Sequence, residues 1–166
     1  MELYFIRHAI AVDRADAGVR SDAERWLTEE GLQKMERAAK GLKAIVSGFN
    51  VIYTSPYVRA RQTAGIIARQ YENENLISET PELEPGGDFR SLVALVTPQP
   101  PNARIALVGH EPDLSEWISL LVTGSPDAEI QMKKGAVCRV DLNGKPVRGS
   151  GVLVWLLQPA HLRRLE

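Results

Sequence analysis

The chain has 166 residues, which suits one domain over residues 1–166 and is short for two independent cores. Twenty Lys and Arg against 21 Asp and Glu give a formal charge of −1, and 44% of the residues are hydrophobic, which excludes a disordered chain and a global basic field for nucleic acid. The single Cys138 excludes a disulfide framework or a Cys-rich zinc site, and no apolar run approaches the roughly 20 residues that span a bilayer, so a monomeric, cytoplasmic domain without membrane association is expected.

In chain order, Leu3 to Ile6 reads as a short buried strand ending at Arg7-His8. Ala11 to Arg25 mixes small, charged and polar residues without a period and reads as loop. Thr28 reads as the N-cap of a helix with Glu29 and Glu30 in its first turn. That helix runs to about Val46 on a stripe of Leu32, Met35, Ala39, Leu42 and Val46, and stops at Ser47-Gly48. Val51 to Thr54 is a second strand, with Ser55-Pro56 expected as N-cap and first residue of the next helix. The buried stripe of this helix is Ala60, Ala64, Ile67 or Ala68, and Tyr71. Ile77 to Gly87, broken by Pro81, Pro85 and two glycines, reads as irregular. Asp88 is expected to cap a short helix through Val96.

Ile105 to Val108 is apolar on both faces, as at the centre of a parallel sheet, and ends at Gly109-His110. Asp113 and Glu116 read as a capping box opening a helix through about Val122. Ala136 to Leu142 and Val152 to Leu157 read as a hairpin turning at Asn143-Gly144. This order predicts an α/β fold with three layers, α/β/α, around a mostly parallel sheet.

Ligands of open α/β sheets bind beyond the carboxyl ends of the strands. There the sequence places Arg7-His8, then Ser55-Pro56 with Arg59, then Gly109-His110. Two guanidinium forks and two imidazoles suit a dianionic phosphoryl group. No Asp-rich or His-rich cluster points to a metal, and no cofactor is implied. Cys138, Trp117 and Trp155 read as core, Trp26 as a residue of the site's rim, and His161, Lys133-Lys134 and Arg163-Arg164 as solvated.

Four segments then resemble, in order, the histidine phosphatase superfamily, the fold shared with phosphoglycerate mutases: Phe5-Ile6-Arg7-His8-Ala9, Leu27-Thr28-Glu29-Glu30-Gly31, Ser55 to Thr63, and Val108-Gly109-His110-Glu111-Pro112. The short chain and Pro81 to Asp88 resemble the SixA-type phosphohistidine phosphatases. The resemblance implies a metal-independent phosphatase in which His8 is transiently phosphorylated and Arg7, Arg59 and His110 hold the phosphoryl oxygens. Glu82 is the favoured general acid, with Asp88 and Glu111 as alternatives. Ala9 stands where the family signature has Gly. The implied substrate is phosphohistidine in a protein, such as a phosphotransfer domain of a signalling relay. Alternatives are a phosphatase of small phosphomonoesters or a mutase, and a phosphate-binding module without turnover.

Overall fold

The computed structural model describes residues 1–16 and 18–166. One sheet organises it, with strands β1 (Glu2–Arg7), β2 (Val51–Thr54), β3 (Ile77–Glu79), β4 (Arg104–Gly109), β5 (Val137–Leu142) and β6 (Gly151–Leu157) in the order β3-β2-β4-β1-β5-β6. The pairs β3-β2, β2-β4 and β4-β1 are parallel, while β5 runs antiparallel to both its neighbours. Five strands therefore share one direction, which is the mostly parallel sheet the sequence predicts.

Helices α1 (Glu29–Ile45), α2 (Val58–Gln70) and α5 (Pro159–Leu162) cover one face, and α3 (Phe89–Val96) and α4 (Asp113–Thr123) the other. The pleat divides the core accordingly. Tyr4, Ile6, Ala106 and Val108 pack with Met35, Leu42, Ala64 and Leu162, whereas Leu3, Phe5, Ile105 and Leu107 pack with Leu92, Val96, Leu114 and Trp117. The chain leaves β1 towards α1 and leaves the adjacent β4 towards α4, on the opposite face. The carboxyl ends of β1 and β4 thus flank the crevice where open α/β sheets bind ligands.

Several local expectations hold. The Thr28 hydroxyl accepts from Gly31 N–H at 2.9 Å and caps α1, and Asp88 caps α3 by accepting from Ser91 N–H at 2.7 Å. Others are corrected. Helix α2 begins at Val58 rather than Pro56, because the Ser55 hydroxyl is engaged with His110 and with Tyr57 N–H before the helix starts. Pro112 takes the N-cap position of α4, and the Asp113 carboxylate accepts from Gly86 N–H at 2.8 Å instead of forming a box with Glu116. Within Ile77 to Gly87 lies β3, a three-residue edge strand too short for alternation to show. Residues 143–150 form one long connection, since the left-handed conformation falls at Gly149 (φ +74°) and not at Asn143-Gly144. Trp155 is half-buried, whereas Trp117 and Cys138 are core as expected.

Gly41 is where α1 meets α5. A Cβ there would stand 1.8 Å from the Leu162 carbonyl oxygen. Alanine normally gains up to about 1 kcal/mol over glycine inside a helix, but overpacking against backbone costs about 1–3 kcal/mol. Gly41→Ala is therefore expected to lower stability in urea unfolding, while Gly48→Ala, with no atom within 4 Å of its Cβ, should leave it nearly unchanged. Equal midpoints for the two variants would contradict this packing.

Candidate functional site

Register brings the two histidines together. Arg7 pairs with Gly109, and His8 N–H donates to the Gly109 carbonyl at 3.1 Å, so the residues that follow β1 and β4 emerge side by side. The imidazole centroids lie 5.1 Å apart. His8 Nδ1 is 2.7 Å from the Ala9 carbonyl oxygen. A carbonyl only accepts, so Nδ1 carries the proton and Nε2 keeps its lone pair. That Nε2 accepts from Arg59 Nε at 3.2 Å.

Ala9 fits where it stands. Its N–H donates to Thr63 Oγ1 at 3.0 Å, the Thr63 hydroxyl donates to the Arg59 carbonyl at 2.7 Å, and its methyl is buried in the core. Thr63 lies one turn beyond Arg59 on α2, so this chain of bonds ties the backbone around His8 to the helix that carries Arg59.

Arg59 is 4% exposed, with its guanidinium 5.1 Å from the centre of the Tyr57 ring. Its terminal nitrogens donate to Asp22, at 2.5 Å to the carbonyl and 2.9 Å to Oδ2. Asp22 also receives Arg14 and Arg25, each at 3.0 Å. Burial pushes the Asp22 carboxyl up, but the bonds from Arg25, Arg59 and Arg14 prevail and hold it well below the usual carboxylate range. Arg7 donates through one terminal nitrogen to the Met132 carbonyl at 2.7 Å.

His110 Nε2 is 2.9 Å from Ser55 Oγ, and its ring meets Tyr57 edge to face at 5.2 Å. Arg7 Nε and His110 Nδ1 are buried without a hydrogen-bond partner among the described residues. Buried polar groups are rarely left so. Burial brings both imidazoles down to about 3. For His8 the bond to Ala9 opposes this, and His110, Arg59 and Arg7 add to it; for His110 the main addition is Arg59.

The three carboxyl candidates separate physically. Glu82 lies in a 3-10 turn over Pro81–Leu83 beside the end of β4, accepts from the Thr80 hydroxyl, and is held below its ordinary value mainly by that bond. Asp88 is exposed at the head of α3, and its bonds from Ser91 keep it ionised. Glu111 is pushed up by burial, has Oε1 buried without a partner, and accepts from Ser115 through Oε2. No group of three or more His, Cys, Asp or Glu among the described residues is placed to hold a metal ion.

Sequence reasoning names Arg7, His8, Arg59 and His110, and the structure gathers them at one rim. It misses Asp22, Tyr57 and Lys134. Asp22 sits in the segment read as structureless, where no periodicity marks a residue whose role depends on tertiary contact. Lys134, read as solvated, is half-buried beside Arg7.

Two imidazoles held neutral are a liability in acid. Their folded values near 3 lie below the unfolded value of about 6.5, so the unfolded chain binds the extra protons and stability falls as pH drops from about 6.5 towards 3. Each contributes a slope of about 1.4 kcal/mol per pH unit in the middle of that window. His8→Asn is expected to shed about one such slope relative to the unmodified chain between pH 6 and 4. Parallel stability profiles for the two proteins would contradict the buried neutral imidazole.

The histidine phosphatase superfamily (branch 1) matches residues 3–84. An uncharacterised protein of Picosynechococcus is 36% identical over 143 residues, 82% of each chain. The structure of the protein histidine phosphatase SixA complexed with tungstate superposes with a TM-score of 0.84 at 25% identity, covering 98% of this chain and 99% of that one. A phosphoserine phosphatase mutant from Entamoeba histolytica in complex with phosphoserine shares the fold, with a TM-score of 0.72 at 18% identity over 97% of this chain and 98% of the other. Among the described residues no helix is long and apolar enough to cross a membrane. With its paired histidines at the ends of adjacent parallel strands, the chain belongs to the histidine phosphatase superfamily, branch 1, and is a phosphatase of SixA-like build.

Proposed function

We propose that this phosphatase removes the phosphoryl group from phosphohistidine in proteins, through a phosphorylated His8. The observation that carries the mechanism is the fixed tautomer of His8, with Nδ1–H held by Ala9 and the Nε2 lone pair facing Arg59. Nε2 attacks phosphorus in line, the P–N bond to the substrate imidazole breaks, and the departing nitrogen takes up a proton from solvent, which the attacking water returns in the second step. Water then attacks phosphorus on His8, releases inorganic phosphate and restores the free imidazole. Arg7, Arg59 and His110 receive the equatorial oxygens, where catalysis of phosphoryl transfer rests on positioning and charge. The unpartnered Arg7 Nε and His110 Nδ1 support that assignment.

Two features favour a protein substrate. A cavity of about 690 Å³ beside the site is bounded by Arg7 and Ala9, while His8, Arg59 and His110 stand outside its lining. Between Glu82 and β4 the chain holds α3, which packs Leu92 and Val96 against the sheet face instead of covering the strand ends. A site left uncovered at the strand ends suits a phosphorylated side chain presented on a surface and gives small molecules less to grip. Leaving-group chemistry agrees. Imidazole, whose conjugate acid has a pKa of about 6.5, departs with less acid assistance than an alkoxide, which fits a site whose rim carboxylate Glu82 is held ionised.

The reading is tested by comparing kcat/KM for a phosphohistidine protein and for 3-phosphoglycerate in the presence of EDTA. The former should be at least about 100-fold larger, roughly 2.7 kcal/mol of differential transition-state binding. Equal efficiencies or robust mutase activity would favour the small-substrate reading, and loss of activity in EDTA restored by a divalent ion would overturn the metal-free chemistry. Because the small protonated fraction of Glu82 matters only to a poor leaving group, Glu82→Gln is expected to slow alkyl phosphomonoesters more than phosphohistidine. An equal loss on both would contradict the leaving-group argument.

A further inference from the structure

A cavity of about 690 Å³ lies beside the catalytic crevice. It lies between the first turns of α1, the segment 131–135 leading into β5, and the segment 158–163 that carries α5. Its apolar lining includes Ile10, Met35 and Pro159, and it shares Arg7 with the catalytic crevice. Its charge is one-sided. Five cationic side chains line it, namely Arg7, Lys34, Lys133, Lys134 and Arg163, and among the described residues no Asp or Glu does, although acids and bases nearly balance over the whole chain.

Among the described residues, Lys133, Lys134 and Arg163 make no ion pair, and the one pair on this rim, Lys34 with Glu30, is exposed. Lys134 stands at the junction of the two sites. Burial lowers its ammonium from the ordinary lysine value, Arg7, Arg25 and Arg59 lower it further, and Asp13 opposes them. Clustering like charges over an apolar pocket is unfavourable in the free protein, and it is relieved by an anionic occupant.

We propose that this cavity receives the carboxylate-bearing face of the phosphorylated protein, reading acidic side chains within a helical turn of the phosphorylated residue while that residue enters the crevice at His8. This deepens the protein-substrate reading above and rests on it. An apolar side chain between the carboxylates would fill the space beside Ile10 and Met35, and the carboxylates would pair with Lys133, Lys134 and Arg163. Helical positions three and four apart lie about 5–6 Å from one another, so a single amphipathic helix can present both elements.

The test uses two synthetic helical peptides phosphorylated on one histidine, identical except for Glu or Gln at the positions three and four residues to either side. p-Nitrophenyl phosphate serves as a substrate too small to reach the cavity rim. The Glu peptide should show about ten-fold higher kcat/KM at low ionic strength, narrowing as salt is added, since several partly exposed pairs each contribute modestly and are screened. The double variant Lys133→Glu, Arg163→Glu should abolish or reverse the preference with p-nitrophenyl phosphate hydrolysis unchanged. Lys34→Glu provides a single-site control should the double variant fold poorly. Equal kcat/KM for the two peptides, with both turned over, would overturn the cavity's role and leave the phosphohistidine reading standing. Hydrolysis of p-nitrophenyl phosphate but of neither peptide would overturn both.

Discussion

The hydrogen bond from His8 Nδ1 to the carbonyl of the next residue fixes which nitrogen of the buried imidazole keeps its lone pair. An imidazole attacks phosphorus only through a nitrogen that carries a lone pair, and the carbonyl of Ala9 leaves Nε2 as that nitrogen. Arg59 can place its Nε against the lone pair only because Thr63, one turn along the same helix, is tied to the Ala9 N–H. The position therefore needs its backbone more than the absence of a side chain, which is why the Ala9 methyl can be absorbed into the core.

The fold supplies the rest by geometry and the electrostatics by burial. Parallel pairing of β1 with β4 brings both histidines to one crevice, and connections leaving to opposite faces keep that crevice clear. Burial among guanidinium groups then keeps the imidazoles neutral, so Nε2 of His8 holds its lone pair without a separate base. The cost is instability in acid. The Arg59 fork is held by the Asp22 carboxylate, an anionic partner that offsets the burial of the guanidinium.

Residues governed by local pattern were legible in the sequence. The apolar runs of β1 and β4, the Thr28 and Asp88 caps and the stripe of α1 follow from nearest neighbours and helical spacing, and so does the placement of Arg7, His8 and His110 just past strand ends. What escaped depends on contacts distant in sequence. Asp22 reaches Arg59 across 37 residues, and Ser55, read as a helix cap, bonds to His110 across 55. Asn143-Gly144 carries the signature of a tight hairpin, yet the left-handed turn falls at Gly149. Lys133-Lys134 reads as an ordinary solvated pair until α1 and the end of the chain close around it to form a cavity wall.

The most direct test of this account is to quench the enzyme during turnover of a labelled phosphohistidine substrate and locate the phosphoryl group by mass spectrometry and phosphorus NMR. The expected result is an acid-labile phosphoryl group on His8 at Nε2, absent from His8→Asn. A phosphoryl group on His8 Nδ1, or on any other residue, would contradict it.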